Sequence, residues 1–205
     1  KDIIRAILGG DQAVDEKFVD ICFHKLYKGF MEHIDAIDNG VSIADGVPLK
    51  YHVSTSLSAR VGTLNPAWNE AQSPEIFNQK FVEAMTMTCT EFVMATKALA
   101  ENWWPAREMV QHAMDSRFEV HPSGSIIVLF QACPWKDHLF ELRDDGKPVL
   151  YAIYQDSGGS WRIQCVPQDP TSFICRKKLP DEWCGVRDAD LDAKLMPGFA
   201  QEGAI

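Results

Sequence analysis

The sequence predicts an α+β protein, helical in its first half and mixed in its second. Three observations carry this. From Val19 onward, apolar residues recur at three- and four-residue steps, the spacing of one helix face. Residues 74–104 hold a second such pattern at near-heptad spacing. The third is a change to short β-rich runs: "SIIVLFQ" (125–131), "VLYAIYQD" (149–156) and "SWRIQCVP" (160–167).

In chain order, Cys22, Phe23, Leu26, Phe30, Ile34, Ile37 and Val41 predict one buried stripe on a long helix. Asn39-Gly40 suits the left-handed cap that would end it. Residues 44–73 are punctuated by Gly, Pro, Ser, Thr and Asn and predict a loop with one short helix. A loop of that length is usually functional or disordered. Tyr51, Leu57, Val61, Leu64 and Trp68 give it the apolar content to pack, which favours function. Ser73-Pro74 then opens a helix, with Ser as the cap and Pro in the first turn. Phe77, Phe81, Met85, Thr88, Phe92, Ala95, Leu99 and Trp103 mark its apolar line, and Met85, Met87 and Met94 read as gap-fillers in a packed seam. Pro105 starts a new helix that runs to about Arg117.

In the second half, Ser157-Gly158-Gly159 predicts an antiparallel hairpin between the last two β-runs. Residues 135–145 read as an intervening helix, which gives a small mixed sheet. Residues 188–195 read as another helix, ended by Pro197-Gly198. The expected organisation is a first part over 1–73, a connecting helix over 74–104 and a smaller α+β domain over 105–205.

Composition narrows the function classes. The chain has 205 residues, 46% of them hydrophobic and 24% charged, enough for a real core. No apolar run is long enough to span a bilayer, so no membrane partner is expected. "KDIIRAILGG" is too short and too charged for a signal peptide, so secretion is not expected. A net charge of −9 excludes nucleic-acid binding through the overall field and leaves only a local basic groove. The six cysteines form no CxxC pair and fit reduced thiols in the cytosol, nucleus or mitochondrial matrix. The first residue is not Met, and "GFAQEGAI" closes the sequence without a stop signal. The expectation is a fragment of a longer protein.

Several residue groups carry chemistry. Asp35 and Asp38 lie three apart, on one side of a helix. Two adjacent carboxylates repel unless a cation or water separates them, and Mg²⁺ or Mn²⁺ favours such oxygen ligands. The other reading is that they only finish the helix, which is the commoner role of Asp at such places. Ser54, Thr55, Ser56 and Ser58 surround Arg60, a grouping that suits a phosphate. The alternative is a polar loop whose hydroxyls cap its own turns and whose Arg pairs with a surface acid. "ACPWKDH" (132–138) places Lys136 in a first helical turn, where it would face an anion or simply be solvated beside a core Trp135. The basic run 176–178 reads as a nucleic-acid contact or a solvated loop. No His spacing marks a metal site, and no nucleophile triad is spelled out.

Taken together, "FHKLYKGFMEHIDAIDNGVS", "STSLSARVGTLNPAWNE", "ACPWKDHLFEL", "SWRIQCVPQDPTSF" and "LPDEWCGVRDADL" resemble, in order, blocks of the MYG-type exonucleases. This is the melanocyte-proliferating-gene family, related to the DHH phosphoesterases, and the resemblance covers essentially the whole chain. It implies an α/β catalytic domain whose C-terminal part is residues 1–73, then the connecting helix and the smaller domain, with an active site in the cleft between domains. It further implies a metal-dependent RNA exonuclease of the mitochondrion or nucleus that works from the 3′ end. In such an enzyme Mn²⁺ or Mg²⁺ activates a water for attack on a phosphodiester. Carried over by residue, Asp38 resembles the last metal-ligand aspartate and is the catalytic candidate, with Asp35 as a supporting or alternative ligand. Ser56, Ser58 and Arg60 fall where substrate phosphate would be met, and Arg162 would face the cleft from the smaller domain. The family's His-Asn-Gly, His-Cys-Asp-Glu and Asp-His-His motifs are absent, as is a glycine-rich block expected after "GFAQEGAI". Most metal ligands would then lie outside this chain, and the fragment alone is expected to be inactive. A phosphatase or small-nucleotide phosphodiesterase, and a non-catalytic binding or scaffold domain, are the alternatives. Nothing in the sequence speaks to oligomeric state.

Overall fold

The long helix expected from Val19 forms, but in three segments joined end to end. In the computed structural model, which describes residues 1–9, 15–142 and 146–194, helix α1 (Asp2–Gly9) precedes α2 (Glu16–Leu26). The Asp15 side chain caps α2 by accepting from the Lys17 amide at 2.9 Å. A π-helical turn, Tyr27–Met31, then leads into α3 (Glu32–Asp38). The apolar stripe is buried only at its start. Phe18, Val19, Cys22 and Leu26 are enclosed, whereas Ile37 and Val41 are exposed. The predicted single buried stripe is therefore corrected to a half-covered one. The stop at Asn39-Gly40 is as expected. Gly40 takes a φ of 69°, its amide bonds the Ile37 carbonyl at 3.1 Å, and the Val41 amide bonds the Ala36 carbonyl at 2.8 Å. These two bonds make a Schellman cap.

The expected short helix in the long loop is α4 (Leu57–Gly62), with Ser56 as its cap. Leu57 is buried, Val61 and Leu64 are half-buried, but Tyr51 and Trp68 stand in solvent, Trp68 at 93% exposure. The apolar content of this loop is thus only partly packed. Helix α5 (Pro74–Ala98) starts where Ser73-Pro74 indicated, with Ser73 Oγ accepting from the Ile76 amide at 3.4 Å. It runs on through a second π-turn, Leu99–Trp103. Ile4, Phe18, Cys22 and Leu26 form a core with Phe92, Ala95, Leu99 and Trp104. Phe18 and Trp104 pack with their rings tilted at 41°, 4.9 Å between centroids. Toward the start of α5, Phe77, Phe81 and Met85 are exposed, and so is Met94, so Met85 and Met94 fill no gap.

Helix α6 (Ala106–Asp115) begins after Pro105 as expected, followed by a short α7 (Arg117–Val120) that the sequence pattern did not separate. Strand β1 (Ile126–Leu129), helix α8 (Trp135–Leu142), β2 (Tyr151–Gln155) and β3 (Trp161–Cys165) complete the α+β half. The sheet order is β1-β2-β3, with β1 parallel to β2 and β2 antiparallel to β3. A parallel pair needs a crossover connection, which α8 supplies. The hairpin turn is a three-residue loop. The Asp156 amide bonds the Ser160 carbonyl at 2.9 Å, and Gly159 takes a φ of 81°. Val110, Ala113 and Met114 of α6, Ile127 and Leu129 of β1, Trp135 and Leu139 of α8, and Val149, Ala152 and Val166 form the core. Helix α9 (Asp188–Asp192) lies within the expected 188–195 run, while Pro197-Gly198 and the end of the 135–145 helix lie outside the described residues.

Contacts divide the chain into two compact units, Lys1–Trp104 and Pro105–Ile205. Among the described residues no helix is long and apolar enough to cross a membrane.

Candidate active-site residues

Asp35 and Asp38 differ sharply in their surroundings. Asp35 is held by two donors: Tyr27 Oη at 3.0 Å to one carboxylate oxygen and Asn39 Nδ2 at 3.0 Å to the other. Asn39 Nδ2 also donates to the Asp35 carbonyl at 2.8 Å. The hydrogen bond to Asp35 and its charge push the Tyr27 phenol upward from its ordinary pKa. Asp38 ends α3 and is exposed, and its side chain makes no hydrogen bond or ion pair among the described residues. The Schellman cap fixes the backbone at its side. Asp35 is therefore a positioned acceptor whose oxygens already have partners, and Asp38 is an open carboxylate on a fixed helix end.

The metal reading needs more than this pair. A six-coordinate Mg²⁺ or Mn²⁺ takes oxygen ligands around a full octahedron. Among the described residues, no three His, Cys, Asp or Glu side chains come together as they would around an ion. Asp38 fits one ligand position; the residues present do not make a complete site.

The hydroxyl group around Arg60 resolves into a helix terminus. Ser56 Oγ caps α4 by accepting from the Ala59 amide at 3.2 Å. Ser58 lies half-buried in the first turn. Arg60 forms a bidentate pair with Glu91 of α5, its Nη1 on Oε1 and its Nη2 on Oε2 at 2.7 Å. The guanidinium holds the Glu91 carboxyl below its ordinary range, and Glu91 raises Arg60 further. Ser56 and Arg60 thus both have intramolecular partners, and Leu57 anchors the helix that carries them.

In the second unit, Arg162 on β3 donates through Nε to Asp156 at 2.7 Å. Asp156 is held low by Arg162 first and by the amides of Ser160 and Gly158. Arg162 stands opposite Tyr154 in the sheet register, on the face that also carries Gln164. Tyr154 Oη donates to Gln164 at 2.9 Å. Tyr154 and Gln164, with residues 132–137, line an open pocket of about 360 Å³. Trp135 is a core anchor, and the Lys136 ammonium lies 5.9 Å from its ring. Burial pushes the Cys133 thiol up in this pocket. Arg176, first of the basic run, donates to the Val149 carbonyl at 3.0 Å and lies over the Phe140 ring, a structural rather than a surface role.

Sequence reasoning missed three things here: Tyr27 as the partner of Asp35, Glu91 as the partner of Arg60, and the pocket walled by Tyr154 and Gln164. Only the last had a signal. Tyr154 and Gln164 sit at inward-alternating positions of the two β-runs flanking the predicted hairpin.

Comparison with known proteins agrees with the block resemblance. The MYG1 exonuclease model, described as "Uncharacterised protein family (UPF0160)", matches residues 1–199. The MYG1 protein of Caenorhabditis elegans is 43% identical over 208 residues, covering 97% of this chain and 59% of its own length. The MYG1 exonuclease of Homo sapiens is 40% identical over 195 residues, covering 93% of this chain and 50% of its own. A Saccharomyces cerevisiae MYG1 protein is 37% identical over 208 residues, covering 97% and 61%. The chain thus spans about half to three fifths of the length of these relatives. No solved structure matches.

Proposed function

Because the chain belongs to the MYG1 exonuclease family, we propose that it is part of a phosphodiesterase acting on RNA from the 3′ end, with Asp38 as a carboxylate of its metal site. The observation that carries this reading is the contrast at the end of α3. Asp35 is pinned by Tyr27 and Asn39, while Asp38, one turn on, is exposed, lacks partners and is fixed by the cap behind it. An aspartate at a helix C-terminus opposes the helix dipole, a cost that a cationic or hydrogen-bonding partner would offset. Asp38 has none among the described residues, which suits a ligand for Mn²⁺ or Mg²⁺. When bound, such an ion supplies an activated water and charge stabilisation at phosphorus. The described residues supply one corner of that site, with Asp35 steadying the helix end through Asn39. Arg60 and Arg162 would meet phosphate only by leaving Glu91 and Asp156, so their contribution to binding is secondary in this reading.

The 205-residue chain alone is expected to be inactive, and the full-length gene product active with Mn²⁺ or Mg²⁺. The test is hydrolysis of a 3′-labelled RNA oligomer by both forms, with dinucleotides and pyrophosphate as competing substrates. Asp38→Ala in the full-length product should abolish hydrolysis. An exposed position without partners should shift folding stability by no more than about 0.5 kcal/mol. Full activity in that variant, or robust hydrolysis by the 205-residue chain, overturns the assignment.

A further inference from the structure

We propose that the exposed apolar line on α5 is an intramolecular interface, covered in the full-length gene product by polypeptide outside these 205 residues. The inference does not depend on the catalytic reading. At about 100° per residue, Phe77, Phe81, Met85, Thr88, Phe92, Ala95 and Leu99 fall on one side of the helix. The later part of this line is covered: Phe92, Ala95 and Leu99 pack on Ile4, Phe18, Cys22 and Leu26. The earlier part is not, and Phe81 is 69% exposed. One continuous apolar line is therefore a finished core at one end and bare at the other. Gln79 and Glu83 of this stretch lie on the opposite side, and Asn78 and Lys80 flank the line. Lys80 pairs with Glu83 at 3.2 Å, and Gln79 donates to Glu83 at 3.2 Å.

Two facts select the occupant. The bare line continues a core that this chain has already closed on itself, so the same polypeptide is the natural source of the cover. The relatives also carry that polypeptide, since the match spans 59%, 50% and 61% of three of them. A second copy of this chain is disfavoured because each copy bears a net charge of −9. The expected cover is an apolar helix or sheet face, since a row of Phe and Met side chains offers a polar segment little to pair with.

Methionine oxidation reads this directly, because α5 carries its own control. Met85 lies on the bare line and Met94 on the opposite side, and both are exposed in this chain. Dilute hydrogen peroxide should oxidise both at similar rates in the 205-residue chain. In the full-length product Met85 should be protected by at least about tenfold while Met94 is not. A second measurement uses Phe81→Ala. It should leave the Tm of the 205-residue chain within about 2 °C, as expected at an exposed site. It should lower that of the full-length product by roughly 4–7 °C, as for a buried Phe in a chain of the relatives' length. Equal oxidation of Met85 in both forms overturns the proposal. So does a 205-residue chain that sediments as a dimer and is dissociated by Phe81→Ala, which would make a second copy the occupant.

Discussion

Two glycines of one helical stretch should respond to the same substitution with opposite signs. Gly29 lies in the π-turn between α2 and α3, its φ is not in the left-handed region, and a Cβ there would meet nothing within 4 Å. Gly29→Ala therefore only reduces the freedom of the unfolded chain, and it should stabilise by about 0.4–1 kcal/mol. Gly40 also has open space for a Cβ, but its φ is 69°. Here the left-handed backbone costs an alanine about 1–2 kcal/mol, offset in part by the same unfolded-state gain, for a net loss of about 1 kcal/mol. The two variants should differ by about 1.5–2 kcal/mol in urea titrations followed by circular dichroism. Amide exchange gives the local reading. The Val41 amide, bonded to the Ala36 carbonyl, should exchange about fivefold faster in Gly40→Ala and no faster in Gly29→Ala. Equal signs for the two changes, or a neutral Gly40→Ala, would refute the argument that a left-handed cap fixes the helix end beside Asp38.

Other outcomes can be checked alongside. Ser56→Ala should cost about 0.5–2 kcal/mol while Ser56→Asp should be near neutral, because the role is to accept from the Ala59 amide; full-length activity that survives Ser56→Asp would rule out a phosphate contact there. Leu139→Ala should cost about 2–5 kcal/mol, since Leu139 is 2% exposed between α8 and the sheet; calorimetry of the 205-residue chain measures it. The Glu91 carboxyl is held low by Arg60, so its contribution is full above the ordinary range near about pH 4.3 and is lost as pH falls through the lowered folded-state value. Glu91→Gln should therefore flatten the acid limb of a Tm-against-pH curve and leave its slope at neutral pH unchanged.

What the sequence made legible was local. The start of α5 at Ser73-Pro74, the stop at Asn39-Gly40 and the hairpin at 157–159 each rest on residues whose backbone preferences act within one turn. What it could not show was coverage. Periodicity tells which side chains share a face but not whether anything lies against that face, so Ile37, Val41, Phe77 and Phe81 read as core and stand exposed. The site followed the same division. Asp38 at a helix end was visible from spacing, whereas the pairing of Arg60 with Glu91 joins residues 31 apart and depends on how α4 meets α5. Whether a guanidinium is available to a ligand is decided by such distant acids, which no local pattern records.

The π-turn at Tyr27–Met31 sets the angular phase of everything after it. In a regular α-helix, residues seven apart differ by about 20° around the axis, and residues eight apart by about 80°. Tyr27 and Asp35 are eight apart, yet the tyrosine hydroxyl reaches the carboxylate at 3.0 Å. One extra residue wound into the turn makes the eighth position occupy the direction of the seventh. Deleting a single residue from this turn would remove the bulge and leave the phase unchanged, whereas winding the same residues as ordinary α-helix would swing α3 by about 100° relative to the buried Phe18–Leu26 face. Asp35 would then lose Tyr27, and Asp38 would point elsewhere, without any change in α3 itself. The aim of the two aspartates is in that sense stored four to eight residues upstream of Asp35, as a count rather than as a contact.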